Sequence, residues 1–103
     1  SPPVRVAVVG CGAWGRNLVR TFHRLPGSQL VAVCDSDPTR LAQMDGLVPG
    51  VPTTADLEPL LADPAVDAIV IGSHDKNTWE RLLQPSVGRY LIDNAPCPVI
   101  VVR

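Results

Sequence analysis

The feature that most restricts this chain is a glycine-punctuated turn near its start. Val4-Arg5-Val6-Ala7-Val8-Val9 is a largely β-branched apolar run that ends at Gly10. Gly10-Cys11-Gly12-Ala13-Trp14-Gly15 follows, and Trp14, Leu18, Val19, Phe22 and Leu25 then recur at helical spacing. A buried strand, a tight turn and a helix are required in quick succession. Each glycine has its own reason in such a turn. Gly10 lets the chain reverse sharply, Gly12 lets a ligand approach the backbone, and Gly15 lets the helix lie close to the strand. The first N–H groups of the helix have no intrahelical acceptor, so with the helix dipole they face an anion. Two linked phosphates meet that need.

The rest of the chain repeats the alternation. Pro26-Gly27 stops the helix, and residues 30–34 read as a second buried strand closed by Asp35. Asp37 caps a short helix with Pro38 at its first position, expected to run to about Met44. Residues 51–53 offer a brief edge strand. Residues 56–62 read as a short helix, with Thr54 a candidate cap, and residues 65–73 as another buried strand. Helices are expected at 78–83 and 86–94, and a last strand at 98–102. This order predicts one three-layer, Rossmann-like α/β domain over residues 1–103. Its sheet is five-stranded and mostly parallel, in the order 3-2-1-4-5, with helices on both faces.

Composition agrees and excludes several classes. Hydrophobic residues make up 46% of the 103, yet aromatics only 4%, so the core is aliphatic, as a sheet covered on both faces demands. The formal net charge of −1 and the lack of a basic run argue against nucleic acid as a partner. No apolar stretch approaches the roughly 20 residues that span a bilayer, so no membrane is expected. Cys11, Cys34 and Cys97 have neither metal-ligand spacing nor disulfide arithmetic, and read as reduced and mostly buried. No secretory signal is visible at the start, and a cytoplasmic setting follows as the expectation.

The glycine turn gains weight from Asp35, about 20 residues further on at a strand end. An acid there accepts hydrogen bonds from the adenosine ribose and repels a 2′-phosphate, which favours NAD over NADP. The bland alternatives are that the glycines form only a tight connection and that Asp35 closes its strand. The candidate cofactor-binding residues are Gly10, Gly12, Ala13, Trp14, Gly15, Asp35, Ser36, Gly72, Ser73 and His74. Trp14 is expected to pack over the first strand rather than to shield phosphates, and Asp37 to cap a helix. His74-Asp75 follows a strand end, but no third group accompanies the pair, so no catalytic residue is assigned. Ser86 reads first as a helix cap and His23 as a surface residue. Arg16, Arg20 and Arg24 read as an exposed helix face.

Two resemblances appear. Residues 4–17, then Leu30-Val31-Ala32-Val33-Cys34-Asp35, Thr53-Thr54-Ala55-Asp56-Leu57 and Asp67-Ala68-Ile69-Val70-Ile71, resemble the nucleotide-binding half of the glucose–fructose oxidoreductase and inositol dehydrogenase family. That likeness implies NAD(P) binding at Gly10, Gly12, Gly15 and Asp35. After Ile71 the family's Glu-Lys-Pro segment, with its catalytic lysine, and its substrate domain are not found. Residues 72–103 instead resemble the C-terminal end of universal stress proteins, with Gly72 and Ser86 on its glycine and hydroxyl positions. Asp75 and Pro85 replace two further glycines of that ATP motif, which disfavours ATP.

Together the likenesses imply a chimera, recombined or engineered, joined inside the strand at residues 68–73. The reading that follows is a stand-alone NAD-binding module and not an enzyme. An ATP- or AMP-binding stress-protein-like module and a folded scaffold without a ligand remain the alternatives. Stress proteins commonly dimerise through their last strand, so a homodimer through Val99–Val102 is expected.

Overall fold

The computed structural model describes residues 2–72 and the backbone of 99–102. Their elements are β1 (Val4–Val9), α1 (Ala13–Arg24), β2 (Ser28–Cys34), α2 (Pro38–Leu47), β3 (Thr53–Thr54), α3 (Leu57–Ala62), β4 (Ala68–Gly72) and β5 (Val99–Val102). The strands form one sheet in the order β3-β2-β1-β4-β5, and every neighbouring pair is parallel. This is the expected Rossmann-like architecture, with β5 at one edge. The helices expected at 78–83 and 86–94 lie outside the described residues.

Alternation along β1 divides the core into two apolar layers. Val6 and Val8 face a layer with Val19 of α1, Met44 of α2 and Val70 of β4. Ala7 and Val9 face the other, with Leu60 and Leu61 of α3 and Ile69 and Ile71 of β4. A sheet covered on both faces needs apolar residues at consecutive positions, which is why these strands show no polar alternation. In β2 the register against β1 slips between Val6 and Ala7, whose partners are Leu30 and Ala32. Val31 is the extra residue, and it packs with Ala32 on the α3 side while Leu30 and Val33 face α1 and α2. The bulge changes the phase of the strand, because one inserted residue exchanges its faces.

Element ends follow local hydrogen bonding. α1 stops at Leu25, whose N–H donates to Thr21 O at 2.8 Å, and Gly27 then turns at φ +86°. α2 begins with the Asp37 carboxylate accepting from the Thr39 N–H at 2.9 Å, and Pro38 fills the first helical position. The helix runs on past Met44 to Leu47. β3 forms at Thr53–Thr54 rather than at 51–53, because the Val51 N–H is engaged by Val48 O at 3.2 Å and Pro52 has no N–H to pair. Thr54 does not cap α3. Its hydroxyl accepts from the Asp56 N–H at 3.1 Å, and Asp56 is the N-cap residue.

Candidate functional site

β1 lies between β2 and β4, so the chain leaves it toward opposite sides of the sheet, and a crevice opens beyond the strand ends. The glycine turn lines that crevice. Gly10 sits at φ +88°, a conformation that side-chain-bearing residues rarely take, and its N–H donates to Cys34 O at 2.8 Å. A Cβ on Gly15 would collide with the Gly10 carbonyl and lie 2.8 Å from Gly72 O. A Cβ on Gly72 would collide with Leu18 Cδ1. The fold therefore demands Gly10 for its positive φ and Gly15 for the close approach of α1 to backbone carbonyls, whereas at Gly72 the Leu18 side chain would have to move.

Gly12 is different. Its φ is −69°, open to any residue, and a Cβ there would meet only the flexible end of Arg40, at 3.4 Å. Packing therefore does not explain the missing side chain. Gly12 is also the N-cap of α1, with no side-chain capping bond and no acidic residue in the first turn. The first N–H taken into the helical ladder is that of Arg16, which donates to Gly12 O at 2.9 Å. Earlier N–H groups point ahead of the helix, where an anion gains from them and from the dipole.

Asp35 is the sole buried charged residue among those described, 7% exposed. Its Oδ2 accepts from the Cys11 N–H at 2.9 Å and from the Cys11 thiol at 3.4 Å, and its Oδ1 accepts from the Asp37 N–H at 2.8 Å. The carboxylate thus braces the glycine turn against the start of α2. Asp35 closes its strand and ties the turn to α2 at once. Arg40 adds a cation, its Nη1 3.8 Å from Asp35 Oδ2 and its Nε 3.9 Å from Asp37 Oδ2. Nothing in the spacing singled Arg40 out; its place three residues after the Asp37 cap was the available signal.

The two thiols beside this network are buried and free. Burial first, then the charge and the hydrogen bond of Asp35, push Cys11 up to about 12. Burial, followed by the charges of Asp35 and Asp56, pushes Cys34 up to about 11. Both are therefore S–H groups at neutral pH, unsuited to nucleophilic attack.

Of the remaining candidates, Ala13 and Ser36 are exposed, Ala13 at the start of α1 and Ser36 just after β2. Trp14 is 39% exposed at the start of α1. Ser73 and His74 lie outside the described residues, as do Asp75, Pro85 and Ser86. Among the described residues no group of three or more His, Cys, Asp or Glu is placed to hold a metal, and no helix is long and apolar enough to cross a membrane.

A glycine turn capping a helix, at the switch point of a parallel sheet, with a buried acid closing the second strand, defines a dinucleotide-binding Rossmann domain. Comparison with known proteins makes the assignment specific. The family model described as "Oxidoreductase family, NAD-binding Rossmann fold" matches residues 4–99, and the chain belongs to that family. Inositol 2-dehydrogenase of Mycolicibacterium smegmatis is 37% identical over 78 residues, covering 71% of this chain and 23% of that enzyme. The WlbA dehydrogenase of Bordetella pertussis, solved with NADH and UDP-GlcNAcA, superposes with a TM-score of 0.72 at 23% identity, covering 96% of this chain and 28% of that one. A single-residue mutant of KijD10, a 3-ketoreductase of Actinomadura kijaniata, solved with TDP-benzene and NADP, gives 0.70 at 19% identity, covering 96% and 29%. These two structures bear on the fold alone.

Two expectations change as a result. The chain spans about a quarter of the length of these relatives, which are named dehydrogenases and a reductase. The reading as a non-enzyme is therefore overturned. It took the end of this chain as the end of the machinery, and the matched region is the cofactor-binding part of longer enzymes. The family match also continues through residue 71 to residue 99, across the expected junction. These matches give no support to a stress-protein part or to a chimera.

Proposed function

We propose that this chain is the cofactor-binding domain of an NAD-dependent dehydrogenase and holds NAD in the crevice beyond β1 and β4. The observation that carries the reading is Gly12. It is bare where the fold does not require it, at the head of an uncapped helix and next to the buried Asp35. Gly12 and the first turn of α1 would take the pyrophosphate. Asp35 would take the adenosine ribose through its less occupied oxygen, Oδ1. Arg40, between Gly12 and Asp35, would border the adenosine end.

Bound there, NAD supplies a hydride acceptor, or a donor when reduced, for a substrate presented from outside this domain. The domain's own contribution is to fix the position of the cofactor and to exclude solvent from its phosphates. NAD is favoured over NADP because the Asp35 carboxylate repels a 2′-phosphate, although Arg40 offsets part of that repulsion.

Calorimetric titration of the chain with NAD, NADP and ATP tests the reading. The expected order of affinity is NAD, then NADP, with ATP weakest. Asp35→Ala should weaken NAD at least tenfold, as loss of a hydrogen bond to a charged group does. Heat with none of the three, from a sample that melts cooperatively, would overturn the proposal.

A further inference from the structure

We propose that Cys11 is a positioning residue for the cofactor: its thiol donates to Asp35 Oδ2 and thereby leaves Oδ1 turned to the ribose. The inference rests on NAD binding as proposed above and assigns a role to the unspecified position between the first two glycines. A carboxylate offers about four acceptor sites. Oδ2 already serves the Cys11 N–H at 2.9 Å and the Cys11 S–H at 3.4 Å, while Oδ1 serves the Asp37 N–H at 2.8 Å. Oδ1 therefore keeps an acceptor site for a ribose hydroxyl. Without the thiol, Oδ2 would keep one backbone hydrogen bond from the turn, with Arg40 Nη1 3.8 Å away, and the carboxylate would be held less firmly in this orientation.

The surroundings suit a donor and not a nucleophile. Cys11 is 1% exposed and packs in the layer with Val6, Val8 and Val70, so its sulfur is shielded from solvent and reagents. Burial and the neighbouring charge of Asp35 keep it protonated, the form that can donate. Serine could supply the same hydrogen, but as a more polar group in an apolar layer.

The test is a coupling measurement on the whole chain. NAD and an NAD analogue lacking the adenosine 2′-hydroxyl are titrated calorimetrically into the wild type, Cys11→Ala and Cys11→Ser, with a thermal melt of each sample. Cys11→Ala should weaken NAD roughly three- to tenfold, the scale of one hydrogen bond. It should weaken the deoxy analogue much less, because the two changes act through the same carboxylate. Cys11→Ser should recover most of the loss. A merely structural cysteine predicts equal loss for both ligands, and that result, or an unchanged NAD affinity, overturns the proposal. A wild type that binds no NAD overturns the cofactor reading and this inference together, whereas a binding wild type with an indifferent Cys11→Ala overturns this inference alone.

Discussion

Arg5 and Asp67 join the starts of β1 and β4 at the end of the sheet opposite the crevice. Asp67 Oδ2 accepts from the Arg5 N–H at 2.8 Å and from Nε at 3.0 Å, while Oδ1 accepts from Nη2 at 3.0 Å. The Asp67 N–H returns a bond to Arg5 O at 2.8 Å. Side-chain and backbone hydrogen bonds from Arg5 hold the Asp67 carboxyl below its ordinary value of 3.8. A lowered carboxyl contributes stability that is present above about pH 3.8 and is lost as the pH falls through its folded value. Asp67→Ala should lower the melting temperature modestly at pH 7, since both side chains are partly exposed, and leave NAD affinity unchanged. Melts recorded on acidification should converge for the two proteins. A constant gap down to the lowest pH would show that the charge is not what stabilises.

Gly12 and Gly15 separate ligand demand from packing demand. Gly15→Ala places a methyl group on the Gly10 carbonyl, which is backbone and cannot turn aside. It should cost about 1–3 kcal/mol, as overpacking does. Gly12→Ser meets only the end of Arg40 and supplies a favoured N-cap, so stability should hold within a few tenths of a kcal/mol or rise. NAD affinity should nevertheless fall at least tenfold, because the hydroxymethyl group stands where the pyrophosphate needs the backbone. Melts and calorimetry on both variants check this. A Gly12→Ser variant that binds NAD normally would leave that glycine without a ligand-based reason.

The fold was largely legible because β1, β2 and β4 carry apolar residues on both faces and its turns are marked by glycine and proline. β1, α1 and the sheet order follow from that pattern alone. Boundaries were missed where pairing overrides propensity. β2 starts at Ser28, two residues early, because Val4 and Arg5 of β1 pair with Ser28 and Gln29, and the Ser28 hydroxyl donates to Phe22 O at 2.7 Å. β4 starts at Ala68 instead of 65, because Asp63 engages the N–H groups of Ala65 and Val66 in a turn. Within the site, the glycines and Asp35 were visible as spacing. Arg40 and the donors from Cys11 were not, since no periodicity reveals where a long side chain folds back or which hydrogen bonds a buried acid accepts.

Alkaline conditions should expose the two buried thiols. Cys11 and Cys34 titrate near 9.0 when freely solvated and are pushed up to about 12 and about 11 in the fold. The unfolded chain therefore loses these protons first. Stability from each raised thiol is complete below about pH 9 and falls as the pH rises toward the folded values, by at most about 1.4 kcal/mol per pH unit and thiol. Cys34→Ala should cost stability at pH 7 by removing buried volume, yet show a shallower decline between pH 9 and 10.5. Urea denaturation at several pH values measures both effects. Parallel declines for wild type and variant would contradict the buried, protonated state of Cys34.

Charge at the adenosine end should govern the choice between NAD and NADP. Asp35→Asn removes the repulsion toward a 2′-phosphate, but both carboxylate oxygens now accept backbone N–H groups, and an amide has only one oxygen to offer. One buried N–H loses its acceptor, so stability should fall by about 1–3 kcal/mol while the NAD-to-NADP preference narrows. Arg40→Ala acts in the opposite sense. Arg40 stands 3.8 Å from Asp35 and is the nearest cation to that carboxylate among the described residues, so its loss should weaken NADP several-fold more than NAD and widen the preference. Both shifts should shrink as salt is raised, because Arg40 is partly exposed and its field is screened. Paired titrations of NAD and NADP at low and high ionic strength read this directly. If Arg40→Ala weakens the two cofactors equally, the guanidinium contacts what they share and does not discriminate at the ribose.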